Sequence, residues 1–337
     1  MTAEEQKFKV AAVQAAPVFM DRAATIARSC DLIAEAGVEG ARIIVFPEAF
    51  VPGYPDWVWT LPPGREALHR EMYGELLAQS VDVPSADVDL LGAAAKKAGA
   101  YLVMGVNERN TGASGTSIYN TLLYFNDSGE LMGRHRKLVP TAAERLVWTP
   151  GDGSTLEAYD TPYGKLGGLI CWENYMPLAR YAMYAWGVQI YVAATWDSSD
   201  SWIATLRHIA REGRVAVIGC CIAMTRDQVP DRYEFKRSYP TADESPAWVN
   251  AGNSAIVDPL GHVVAGPVAK EERIIYAEFD PADLRGSRYW MDTAGHYSRP
   301  DVFQLTVNRN ANEAIRTDDE ARATNGRADS IKSDAAS

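Results

Sequence analysis

A chain of 337 residues, 47% hydrophobic and 23% charged, has the composition of a globular protein with room for one large α/β core or two smaller ones. Its formal charge of −11 repels phosphate backbones and anionic lipid, so nucleic acid and membranes are poor partners, and no apolar run reaches the ~18 residues of a membrane helix. The four cysteines (Cys30, Cys171, Cys220 and Cys221) form no disulfide framework, and with five histidines and neither a CxxC nor an HExxH pattern there is no support for a metal site; the polar start Met1 to Lys7 has no signal-like apolar segment, so a reducing, cytoplasmic setting is expected.

Phe8 to Ala15 reads as a buried first strand, residues 21–38 as a helix, and Ile43 to Phe46 as a short apolar strand ending at Pro47-Glu48. A loop rich in proline and aromatics follows (Val51 to Trp59), then helices at about 65–80 and 86–98 and a strand from Tyr101 to Val106. Tyr119 to Phe125 and Leu131 to Leu138 flank the turn Asn126-Asp127-Ser128-Gly129, which predicts a hairpin with Lys137 at its end. Leu166 to Ile170, Pro177 to Trp186 and Gln189 to Ala194 predict a second strand-helix-strand unit, with Gly187 as the helix stop and Cys171 just past the first strand. A helix over 201–214 and a strand from Val215 to Met224 follow. A second hairpin spans Ala255 to Val264, and its echo of the first suggests two pseudo-symmetric halves. Residues 1–310 then form one domain, and 311–337 a polar, disordered tail.

Glu48, Lys137 and Cys171 all stand at the ends of apolar strands, where a lone charge is costly unless it is paired. If the three ends converge, a thiolate attacks an electrophilic carbon, a carboxylate moves protons, and an ammonium stabilises the charge that develops. A helix N-terminus after Cys171 would favour the thiolate. Taken singly, each residue also has a plain structural reading: an inert core cysteine, a solvated turn carboxylate, a solvated hairpin lysine.

The three contexts together resemble the nitrilase superfamily, and within it the nitrilase branch. Phe46-Pro47-Glu48-Ala49-Phe50 is similar to the family's first glutamate motif, His135-Arg136-Lys137-Leu138-Val139-Pro140-Thr141 to its lysine motif, and Gly168-Leu169-Ile170-Cys171-Trp172-Glu173-Asn174 to its nucleophile motif. The resemblance runs from about residue 8 to about 308; Trp172 and the segment Met291 to Asp301, which includes His296, are similar to nitrilases rather than amidases. It implies an α/β fold: a four-layer α-β-β-α sandwich of two mixed sheets with helices outside. It implies hydrolysis of an organic nitrile to the acid and ammonia, without a cofactor, through a covalent cysteine intermediate. By the same resemblance Glu144 supports Lys137, and the protein is a homo-oligomer built from dimers that can extend into spirals. The substrate pocket is expected to draw on the loop Tyr54 to Trp59, with Tyr54 and Trp57 as its binding residues, on Trp172, and on Thr195-Trp196-Asp197, with packing in the core or an interface as the alternative for each aromatic. Glu173 and Asn174 are expected to cap the coming helix or anchor the loop, and His296 to be structural or at the pocket rim. The rival readings are an amidase or carbamoylase, a cyanide-degrading relative, and a non-catalytic scaffold.

Overall fold

The computed structural model describes residues 6–239, 241 and 247–313; the tail expected from 311 onward lies almost entirely outside them. Two sheets form the centre. The first contains β1 (Phe8–Gln14), β2 (Ala41–Val45), β3 (Tyr101–Arg109), β4 (Ile118–Phe125), β5 (Leu131–Arg136) and β12 (Arg273–Phe279), in the order β12-β1-β2-β3-β4-β5. The second contains β6 (Lys165–Gly168), β7 (Val188–Thr195), β8 (Ala216–Cys221), β10 (Trp248–Val257) and β11 (Val263–Ala269), in the order β11-β10-β8-β7-β6, with β9 (Ala223–Thr225) paired to β10.

The central strands, such as β1, β7 and β8, are apolar along most of their length because both of their faces are covered. On β1, Val10 and Ala12 face the other sheet, while Ala11 and Val13 face the helices. On β7, Ile190, Val192 and Ala194 enter the space between the sheets, and Tyr191 and Ala193 face outward. Outside the first sheet lie α1 (Arg22–Val38), α2 (Trp57–Thr60), α3 (Glu66–Gln79) and α4 (Ala86–Ala98). Outside the second lie α5 (Pro177–Ala185) and α6 (Asp200–Gly213), and α7 (Pro281–Gly286) follows β12. This is the expected four-layer sandwich.

Local signals set the helix ends. Asp21 and Ser199 cap α1 and α6 by accepting from Ala24 N and Trp202 N, Pro177 opens α5, and Gly187 (φ +85°) ends its turn. The two halves share a topology: three parallel strands, then two antiparallel ones, in β1 to β5 and again in β6, β7, β8, β10 and β11. The pseudo-symmetry is broken by β12, which the sequence reading left out. This strand leaves the second half and pairs antiparallel with β1 along its whole length, closing the edge of the first sheet.

Candidate active site

Three turns at strand ends carry Glu48, Lys137 and Cys171. β2 stops at Val45, and the chain turns through Pro47, Glu48 and Ala49, whose φ is +49°. The turn lies against β3 at Gly105, where a Cβ would come within 1.9 Å of the Pro47 carbonyl oxygen, so only glycine permits the approach. Lys137 follows β5 directly, and its N–H donates to Asn120 O at 2.8 Å. The third strand, β6, ends at Gly168, earlier than its expected end at Ile170; Cys171 opens a single 3-10 turn, Cys171–Tyr175, with φ +52°. Together with Ala142 (φ +44°), two residues before Glu144, these are non-glycine residues held in the left-handed region, each costing roughly 1–3 kcal/mol.

The turns bring Glu48, Lys137, Glu144 and Cys171 together, all of them buried. Lys137 Nζ donates to Glu144 Oε2 at 2.7 Å and to Glu48 Oε2 at 3.3 Å. Glu48 also accepts from Asn120 Nδ2 and from the Trp196 backbone N–H, both at 2.7 Å. Glu144 accepts from Tyr54 Oη at 2.7 Å and from Thr141 N at 2.6 Å. Thr195 Oγ1 donates to Cys171 Sγ at 3.3 Å.

Burial and charge act against each other here. Burial pushes the Cys171 thiol well above its ordinary range; the Glu48 carboxylate pushes the same way, and Lys137 only partly offsets them. The resting group is therefore a thiol. The expected help from a helix N-terminus is absent, because α5 begins only at Pro177 and the residue is enclosed. Burial likewise raises the Glu48 carboxyl, against the pull of Lys137. Burial alone would discharge Lys137, but Glu48 and Glu144 outweigh it and hold the ammonium above its usual range.

Glu173 and His135 were not foreseen as a pair. Glu173 accepts from Ile170 N at 2.7 Å, from Leu138 N at 2.5 Å and from His135 Nε2 at 3.0 Å. One buried carboxylate thus joins the backbone beside Lys137 to the backbone beside Cys171. Asn174 Nδ2 donates to Leu169 O at 3.0 Å and Cys171 O at 2.8 Å, while Asn174 Oδ1 accepts from Tyr191 Oη at 2.8 Å. Both residues anchor the turn, as expected.

A cavity of about 300 Å³ opens onto Cys171 and Glu144. Tyr54, Trp172 and Trp196 line it, and Tyr54 stacks on Trp196 at 4.4 Å with an interplanar angle of 4°. Three expectations need correction. Trp57 is buried in the core against Phe19 and Phe235, and Trp59, two residues on, lines the cavity instead, since the short helix α2 turns them to different sides. His296 is exposed beside Tyr297 and away from the cavity, so it is not a rim residue. Thr195 lies behind the sulfur rather than in the wall. Asp197, just past the end of β7, lines the cavity as expected, and Asn120 on β4 completes the site, unmarked by any local pattern because its strand places it against Glu48.

Among the described residues no group of three His, Cys, Asp or Glu side chains is arranged to hold a metal ion, and no helix is long and apolar enough to cross a membrane.

Buried Glu48, Lys137 and Cys171 at the strand ends of a four-layer sandwich, with Glu144 on the 3-10 turn Ala142–Leu146, fit one class of hydrolase, and the carbon-nitrogen hydrolase family model matches residues 9–289. The chain is 46% identical over 313 residues to an aliphatic nitrilase of Sinorhizobium fredii (strain HH103), covering 92% of this chain and 99% of that protein. It is 43% identical over 302 residues to a bifunctional nitrilase/nitrile hydratase of Nicotiana tabacum, covering 89% and 85%. The crystal structure of Saccharomyces cerevisiae Nit3, a member of branch 10 of the nitrilase superfamily, matches with a TM-score of 0.64 at 25% identity, covering 87% of this chain and 97% of that one. The protein belongs to the carbon-nitrogen hydrolase family, the nitrilase superfamily, and to its nitrilase branch.

Proposed function

We propose that the protein is a nitrilase that converts an organic nitrile to the carboxylic acid and ammonia with Cys171 as nucleophile. One observation carries the reading: a charged, doubly paired Lys137 stands beside a buried thiol on the floor of an aromatic cavity. Glu48, its own affinity for a proton raised by burial, takes the thiol proton as sulfur attacks the nitrile carbon. Negative charge develops on the nitrile nitrogen, where Lys137 donates a hydrogen bond, and a thioimidate forms. Water adds with Glu48 as base, the carbon–nitrogen bond breaks, and ammonia leaves a thioester. A second water cleaves the carbon–sulfur bond, releasing the acid and restoring the thiol. Glu144 holds Lys137, and Thr195 holds the sulfur.

The aromatic wall formed by Tyr54, Trp172 and Trp196 suits an apolar substrate body. Four unpaired cysteines support a reducing, cytoplasmic location. The exposed Leu178, Tyr297 and Phe303 beside α5 support association into a homo-oligomer.

The test is ammonia release and product identity with a panel of nitriles and the matching amides. Acid and ammonia from nitriles, with amides inert, are the expected result; turnover of amides alone would move the protein to the amidase reading. Amide as the main product would show that sulfur leaves the tetrahedral intermediate before ammonia does, the second activity in the name of the tobacco relative.

A further inference from the structure

Two indoles of the cavity wall are half-exposed, Trp172 at 50% and Trp59 at 46%, whereas Tyr54 and Cys171 behind them are buried. They therefore stand at its open end. Each is tied by its ring N–H: Trp59 Nε1 donates to Tyr54 Oη at 3.0 Å, and Trp172 Nε1 donates to Asp197 Oδ2 at 2.9 Å. Apart from that tie, Trp172 has an edge-to-face contact with Tyr175 at 5.8 Å, which orients a ring only weakly.

Asp197 is held firmly by its own turn. Its Oδ1 accepts from Ser199 N at 2.9 Å, and its N–H donates to Thr195 Oγ1 at 2.9 Å. The same Thr195 hydroxyl donates to Cys171 Sγ. One turn after β7 thus reaches the nucleophile through Thr195 and the neighbouring indole through Asp197.

We propose that Asp197 sets the upper size limit of the substrate by latching Trp172 across the cavity mouth. The inference builds on the nitrilase reading. A carboxylate accepting from an indole is worth about a tenfold factor in an equilibrium. Cutting the bond releases the ring to swing outward and admit branched or diaryl nitriles, and the nucleophile keeps its partners.

Two readouts separate the latch from the nitrilase reading. The first is the ratio of kcat/KM for diphenylacetonitrile to that for propionitrile. The second is the ratio of Cys171 alkylation rates, located by mass spectrometry, for N-benzyl iodoacetamide to iodoacetamide; it needs no turnover. Asp197→Ala is expected to raise both ratios on the order of tenfold. Trp172→Phe, which keeps a ring and removes the N–H, is expected to raise the alkylation ratio similarly. The double variant is expected to match the Trp172→Phe ratio, because the bond is already gone. A purely structural Asp197 would slow small and large reagents equally and add to Trp172→Phe; either result overturns the latch. If Asp197→Ala does not fold, Trp172→Phe reads the same bond, and an unchanged alkylation ratio there overturns the proposal. Absence of nitrile turnover alongside the expected alkylation ratios would count against the nitrilase reading and leave the latch standing.

Discussion

Lys137 is the residue on which the site's charge balance turns. It is fully buried between Glu48 and Glu144, so removing it leaves two carboxylates without a cation. Lys137→Ala is expected to abolish turnover and to cost about 3–5 kcal/mol of stability, measured by denaturant unfolding. Glu48→Gln keeps the shape and the hydrogen bond to Lys137 but removes the carboxylate proposed as base. It is expected to lose at least ~10³-fold in kcat with a far smaller change in stability. Cys171→Ala is expected to abolish turnover with the fold retained; appreciable activity in the purified variant would sink the mechanism. Cys30→Ala is expected to leave most activity, since that thiol lies on α1, outside the site. The motifs singled out these residues. They did not reveal that the thiol is resting and protonated, because desolvation depends on everything packed around the sulfur.

At the scale of elements, the site is the meeting of three strand ends, and two features hold the ends in register. Glu173 links the backbone after β5 to the turn after β6. A glutamine there has a single acceptor oxygen for partners that now use two, so one backbone N–H is left unpaired. Glu173→Gln is expected to lower kcat on the order of tenfold or more with little change in KM, as checked by steady-state kinetics. A parallel fall in substrate affinity would instead mean that the cavity itself had collapsed. The second feature is the glycine contact between β3 and the Glu48 turn. Gly105→Ala places a Cβ on the Pro47 carbonyl and is expected to cost several kcal/mol, seen as a lowered Tm. The anchoring role of Glu173 was legible from its place after Cys171. Its second partner, Leu138 N, was not, because it comes from the segment after β5, 35 residues away.

At the scale of the whole molecule, Asp56 ties stability to pH. It is buried, and burial raises its carboxyl to about 6, with Tyr239 and the Trp196 indole facing it and pulling the other way. The folded value lies above the ordinary 3.8, so the folded state holds its proton more tightly than the unfolded chain does. The stabilising contribution is complete below about pH 4 and is lost as pH rises through about 6, a span of about 3 kcal/mol at most. Between pH 7 and 5 this group alone is expected to raise stability. Asp56→Asn is expected to flatten that dependence in denaturant unfolding, and an unchanged slope would exclude Asp56 as its source.

The sequence by itself determined the layers and the chemical inventory. Apolar strand runs, capped helices and two turn-bearing hairpins are local patterns, and the motifs around Glu48, Lys137 and Cys171 name the reacting groups within a few residues each. What only the tertiary structure decided is who meets whom. β12 closing on β1, Trp59 in place of Trp57 in the wall, Asn120 on Glu48 and Asp197 on Trp172 all depend on contacts between distant segments. The same holds for the proton on Cys171. Burial and long-range pairing are properties of the packed molecule, and no window of neighbouring residues contains them.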